Sequence, residues 1–468
     1  MTRNTAYLYT FMLSIGLFGC SLSAPQQAEL SPSIAANWSA EHQNAPVAAQ
    51  FMPQLTALPD LHKLVLQGLT KNPTLLQSQA KVDASMALLK QQQAQRWPQI
   101  NAYLSGRRQD NGQSITDNTQ FGIDLSWELD IWGKLDDASR AALLDASANL
   151  NLLKQQQLEL TATIAQQWFN LLAAQHQYEL IHQRRLNLVN NLLIIEEGYQ
   201  AGLNGSLDVF LARADVAGAQ SSEAAKADEI KQASRALQLS LGEYPTGNLR
   251  ANGTFSLNLD KLPAGLPSQL LQRRPDIQGA QDALSAANAR ISVAYKEKFP
   301  SIKLTSGLGN SSPELNELLR ADSMLWNLFA NLSTPLFNAG LLEARQQQQE
   351  ALALAAAANL QASVLNAFQQ VEAALSKEAT LVEQLDKVSV AAQNSLLAEE
   401  LAFEQYQGGL VDYVTVLEAQ RRSFDSQSAR INIRNQRLQN RIELLLALGG
   451  DPHTLPRPTV ATNQESAN

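Results

Sequence analysis

Gln120-Phe121-Gly122-Ile123-Asp124-Leu125-Ser126-Trp127-Glu128-Leu129 decides how this chain is read. Phe121, Ile123, Leu125, Trp127 and Leu129 alternate strictly with small or polar residues. Successive side chains of a strand point to opposite faces, so the pattern predicts a strand greasy on one side and wet on the other. A similar strand precedes it, with Ile100, Ala102 and Leu104 on one face and Asn101, Tyr103, Ser105 and Arg107 on the other, joined through the polar turn Asp110-Asn111-Gly112-Gln113. The pattern returns in Ile302, Leu304 and Leu308, and again in Trp326, Leu328, Ala330 and Leu332. Four amphipathic strands follow, over about residues 99–109, 119–130, 300–310 and 324–335.

Four strands cannot close a barrel in lipid, because each open edge leaves backbone N–H and C=O groups without partners. Transmembrane barrels begin at about eight strands and a water-filled lumen needs more, so three copies giving four strands each, about twelve in all, is the economical closure. The rival arrangement is a soluble four-stranded sheet whose apolar row is blanketed by helices of the same chain. Exposure of that row discriminates between them.

The strands sit in a duplication. Asn72-Pro73 through Trp97-Pro98-Gln99-Ile100 recurs 202 residues later as Arg274-Pro275 through Phe299-Pro300-Ser301-Ile302. Tyr199-Gln200-Ala201-Gly202-Leu203 recurs 207 residues later as Tyr406-Gln407-Gly408-Gly409-Leu410, and Leu241-Gly242 as Leu448-Gly449. The small insertion that separates the two offsets is expected at Asn338-Ala339, beside the equivalent of Trp132-Gly133. The chain therefore divides into a first repeat over 61–253 and a second over 254–456, followed by a flexible tail over 457–468.

Each repeat opens with a helix, near Leu61 to Arg96 in the first, stopped at Trp97-Pro98 because proline disfavours helical geometry in the residue before it. After each strand pair comes a far longer helical pattern, carried by Ala146, Leu150, Leu153, Leu160, Ile164, Leu171 and Ala174, then by Leu360, Val364, Ala367, Val371, Ala374, Leu381, Leu385, Val388 and Ala392. From Gly133 to Tyr199 such a helix extends roughly 100 Å at 1.5 Å per residue, a length suited to spanning a compartment.

The amino terminus fixes the compartment. Arg3 supplies a positive start, Ala6 to Gly19 a mostly apolar core, and Leu17-Phe18-Gly19-Cys20 ends it with the only cysteine. Residues 1–19 read as a lipoprotein signal peptide, Cys20 as the lipidated first residue and 20–60 as a lipid-anchored segment; the apolar core is shorter than the roughly 20 residues of a spanning helix. One cysteine excludes an internal disulfide, and 36 basic against 44 acidic residues, a net charge of -8, argue against a nucleic-acid partner. Five His and one Cys leave little for a metal site. No Gly-x-Ser-x-Gly elbow, phosphate-cradling loop or metal-spaced cluster is present, so no enzyme and no cofactor is expected.

Together, the lipobox, the duplicated halves, Ser126-Trp127-Glu128-Leu129-Asp130-Ile131-Trp132-Gly133, Arg274-Pro275-Asp276-Ile277 and Gly409-Leu410-Val411-Asp412 resemble the TolC-type outer-membrane factors, and within them the lipoprotein NodT-like efflux branch, over about Leu61 to Gly450. The resemblance implies a mainly α fold with a transmembrane β-barrel, each half built as helix, two strands, long helix and helix. It implies a homotrimer with a twelve-stranded barrel in the cell outer membrane and an α-helical tunnel reaching into the periplasm. It further implies passive conduction of substrates from a periplasmic adaptor and an inner-membrane pump, of the resistance-nodulation-division or a related type, with no catalysis. A duct for polypeptide (type I) secretion and a non-conducting structural envelope lipoprotein remain open beside it.

A duct needs a closed end. Gly202 and Gly409 can break the long helices and reverse the chain, which makes these segments hairpin tips at the periplasmic end. Asp412, with Glu418 and Arg422 farther along the next helix, is the candidate charged aperture, and Asp208 and Arg213 are its expected first-half counterparts. The resemblance places aperture acids just after the Gly-Leu-Val-Asp stretch.

Overall fold

The computed structural model describes residues 28, 38–39, 58–203, 205–253, 255, 267–314 and 324–450. The expected signal peptide, Cys20 and the expected tail lie outside the described residues. In chain order the elements are α1 (Pro59–Lys71), α2 (Pro73–Ala94), β1 (Gln99–Asp110), β2 (Ile115–Leu129), α3 (Lys134–Gln200), α4 (Ser206–Ser240), α5 (Pro267–Arg273), α6 (Pro275–Lys296), β3 (Ser301–Ser312), β4 (Leu325–Ser333), α7 (Leu341–Gln407) and α8 (Tyr413–Ala447). The two long helices have 67 residues each and the two that follow them 35 each, so the duplication is kept element by element.

Two expectations need correction. The opening helix is two helices, broken at Asn72-Pro73, where Asn72 takes an extended backbone (φ -65°, ψ 122°). The rule that ends the helix at Trp97-Pro98 acts here first. The insertion also lies elsewhere. The hairpins begin at the pairs Gln99 with Ser126 and Ser301 with Ser333, which already differ by 202 on one strand and 207 on the other. The whole difference is therefore inside the second hairpin, and Ala339-Gly340 stands directly on Trp132-Gly133, both glycines having positive φ.

One compact unit comprises the described residues among 1–29, 90–142 and 284–357 and holds the sheet, four antiparallel strands in the order β1-β2-β3-β4. Its base is tied across the two halves. Trp132 Nε1 donates to the Pro300 carbonyl at 2.7 Å and its ring packs 5.3 Å from Phe299. Lys296 reaches Asp137 at 2.6 Å and the Gly133 carbonyl at 3.1 Å.

The second unit comprises the described residues among 30–89, 143–283 and 358–468 and contains the larger core, built on Trp168, Phe169, Leu171, Val371, Leu438 and Ile442. The predicted stripe positions Ala146, Leu153, Ile164, Leu171, Val364, Ala367, Val371, Ala374, Leu381 and Ala392 are buried. Here each half repeats one joint with different chemistry. Asn72 Nδ2 donates to the Ser240 carbonyl at 2.9 Å while its Oδ1 caps α2 through Thr74 N. At the equivalent place Arg274 donates to the Ala447 carbonyl at 3.1 Å, to Gln370 at 2.8 Å and to Asp276 at 2.7 Å.

Candidate functional site

Two regions carry the function the sequence points to, the sheet and the helical hairpin tips. Among the described residues no helix covers the apolar rows of the sheet. Ile100 is 67% exposed, Leu104 67%, Trp326 75% and Leu332 66%, and Phe121, Ile123, Leu308 and Leu328 are exposed with them. β1 and β4 are exposed along their whole lengths and are the two unpaired edges. On the opposite face Asn101 Nδ2 donates to Asp124 at 3.2 Å, and the Tyr103 ring lies so close over Gly122 that a Cβ there would meet its hydroxyl at 2.9 Å. A sheet apolar on one face, polar on the other and open at both edges is suited to completion by other strands.

The tips are two copies of one device. In the first, Gly202 has φ +77°, its N–H donates to Tyr199 O at 3.0 Å and Leu203 N–H to Gly198 O at 2.8 Å. In the second, Gly409 has φ +71°, with Gly409 N–H on Tyr406 O and Leu410 N–H on Gln405 O, both at 2.9 Å. This is the glycine-ended helix cap in which the left-handed residue lets the last carbonyls be satisfied as the chain turns. Leu203 and Leu410 project from the turns, exposed.

Four of the five charged candidates fall into three separate groups, and the fifth, Asp208, lies in the first turn of α4. Asp412 is the N-cap of α8, accepting from Thr415 N at 2.9 Å and from the Thr415 hydroxyl at 2.7 Å, and those bonds hold its carboxyl below the ordinary aspartate value. Glu418 is clasped within its own helix by Arg422 Nε at 2.7 Å and Arg421 NH2 at 2.9 Å, which lowers its carboxyl likewise. Arg213 on α4 pairs with Glu196 on α3 at 2.7 Å, so of the three groups this one joins two helices. The tips also correct the expected correspondence. Gly205 caps α4 where Asp412 caps α8, both at a separation of 207, so Asp208 stands at Thr415 and Arg213 at Gln420.

Beneath the charges lies a small core of Ile195, Val209, Ala212, Tyr413 and Val416. Tyr406 and Tyr413 pack at 5.5 Å between ring centres, and both hydroxyls are buried without a hydrogen-bond partner among the described residues. Burial raises both phenols, that of Tyr413 the more, with Asp215 adding to it. Arg184 lies 4.5 Å over the Phe424 ring, and burial raises the nearby carboxyl of Glu399 against the lowering effect of Ser423 and Arg184. Thr415 and Arg421 were missed in the sequence, although Asp-x-x-Thr before a helical run is a capping signal. Among the described residues no group of His, Cys, Asp or Glu converges as a metal site.

The pattern of the outer membrane efflux protein family matches residues 64–243 and 266–450. The chain belongs to that family. Cation efflux system protein CusC of Escherichia coli strain K12 is 32% identical over 462 residues, covering 95% of this chain and 99% of that protein. The probable outer membrane lipoprotein SilC of Salmonella typhimurium is 31% identical over 407 residues, covering 84% of this chain and 86% of its own. Among solved structures, CusC superposes with a TM-score of 0.83 at 30% identity, over 92% of this chain and 99% of that one. Like them, this member of the family is an outer-membrane efflux component of TolC type, a helical duct with a strand-built barrel part.

Proposed function

We propose that three copies of this chain join their sheets into one twelve-stranded barrel in the outer membrane, and that the repeats over 61–253 and 254–456 continue as a helical duct through the periplasm to an adaptor and an inner-membrane pump. The duct conducts passively and catalyses nothing; the pump supplies energy and, with the adaptor, selects cargo. The bare apolar rows carry this reading. Leaving Ile100, Leu104, Trp326 and Leu332 in water is costly, at roughly 25 cal/mol per Å² of apolar surface, whereas in lipid the same rows are at home.

Gly202 and Gly409 turn the chain at the periplasmic end, and Asp412, Glu418, Arg422, Asp208 and Arg213 line the closed aperture there. Cys20 carries the acyl anchor. Purified protein should run as a trimer in detergent and give discrete conductance steps in planar bilayers; a folded monomer that leaves the bilayer silent would overturn the proposal. Cys20→Ser should lose labelling by radioactive palmitate, and retained label would remove the anchor without touching the channel.

A further inference from the structure

The internal duplication specifies how one protomer's sheet meets the next. The correspondence is 202 residues for the first strand of each hairpin and 207 for the second. It carries the β1–β2 pairing onto the β3–β4 pairing without error: Ala102 with Ile123 becomes Leu304 with Ala330, and Leu104 with Phe121 becomes Ser306 with Leu328. The β2–β3 pairing is the seam between the two halves, with Gly122 opposite Gly309 and Leu125 opposite Ser306. It has no second example among the described residues. Its counterpart is the seam between β4 of one copy and β1 of the next, and those are the two edges left open.

We propose that β4 pairs antiparallel with β1 of a second copy in the transported register, Phe329 opposite Arg107, Asn331 opposite Ser105 and Leu332 opposite Leu104. The inference rests on the trimeric-channel reading. Its parity is consistent with the pattern of the strands: Leu332 and Leu104 both belong to apolar rows, and Asn331 and Ser105 both to polar rows. Each of these residues is exposed in the protomer and is covered or lipid-facing only in the assembly. Where the inner seam has two facing glycines, the outer seam places the Phe329 ring against the Arg107 guanidinium on the polar face, a cation–π pair that marks the subunit boundary.

The register also sets the bore. Tyr103 pairs with Gly122 and Gly122 with Gly309, and position 309 stands on 107, so each hairpin advances four residues along the barrel. Six hairpins then give a shear of about 24, which with about 3.3 Å per residue and about 4.7 Å between strands means a tilt of about 55°, steeper than the roughly 35–45° typical of barrels, and a backbone diameter of about 30 Å. A slip of two residues at the subunit seam, Phe329 opposite Ser105, lowers the shear to about 18 and the diameter to about 26 Å.

Cysteine cross-linking in outer-membrane vesicles tests this. The full-length double variant Phe329→Cys/Arg107→Cys, oxidised with copper phenanthroline, should give a covalent trimer on denaturing gels. Phe329→Cys/Ser105→Cys and Phe329→Cys/Gln109→Cys should link at least five-fold less. Dominant linkage in either shifted variant, or in none of the three while unheated samples still run as trimers, overturns the register and leaves the channel intact. Unheated samples that run as monomers would overturn the channel reading itself. Leu332→Cys/Leu104→Cys, on the lipid face, gives a second reading of the same register should the Arg107 change impair assembly.

Discussion

At the scale of the residue, two glycines with nearly equal backbones have different costs of replacement. Gly202 and Gly242 have φ +77° and +73°, but a Cβ on Gly202 would meet open space while one on Gly242 would meet the Lys71 carbonyl oxygen at 2.5 Å. Gly202→Ala should therefore cost about 1 kcal/mol, the conformational penalty alone, and Gly242→Ala well beyond that because the clash is with backbone. Thermal unfolding in detergent orders the two, and equal shifts would contradict this account. Asp412 offers a test by pH. Its carboxyl is lowered by the Thr415 bonds, so its contribution is fully present above the ordinary value of 3.8 and is lost as pH falls through the lower folded value. Amide exchange of Thr415 should be faster in Asp412→Ala at neutral pH, and the difference should close in acid below that range. The glycine breaks were legible because Tyr-x-x-Gly-Leu occurs twice. The capping role of Asp412 was legible beside the aperture role that the family resemblance implies, since Asp directly before a helical run is an N-cap signal.

At the scale of the element, the ion pairs differ in what their loss would do. Glu418 is held by both Arg421 and Arg422, so Arg422→Ala leaves it neutralised by its other partner, and single-channel conductance should stay within the wild-type distribution. Arg213 ties α4 to α3 through Glu196, which has no second basic partner among the described residues, so Arg213→Ala should loosen the hairpin and raise conductance. Exposed pairs contribute under about 1 kcal/mol, which shifts an opening equilibrium without unfolding the hairpin. Strand positions came from the sequence within a residue or two at most ends because one face is greasy and the other wet. The break at Asn72-Pro73 was passed over because apolar spacing continues through it, with Leu69, Leu75 and Val82 all buried. Packing keeps the two helices on one core while proline forbids a single helix.

At the scale of the whole molecule, adjacent residues of β4 face different solvents. Leu328→Lys puts a charge in hydrocarbon and should weaken insertion by roughly 2–4 kcal/mol, whereas Asn327→Lys, on the lumen face, should insert normally. The yield of unheated trimer in outer-membrane fractions separates them, and equal yields would mean that the faces have been assigned the wrong way round. The need for partner strands was readable from strand number, because backbone groups cannot be left unpaired in lipid. The partners of the charged candidates were less readable, because those of an exposed charge depend on rotamers and neighbouring helices rather than on spacing.

The open edges of the four-stranded sheet set a limit on biogenesis. Between export and assembly, each newly made molecule displays two adhesive borders, able to zip onto any extended polypeptide nearby. Synthesis that outruns insertion should fill the periplasm with strand-joined aggregates, and tethering the molecules to a surface would shorten that interval by turning a search in three dimensions into one in two.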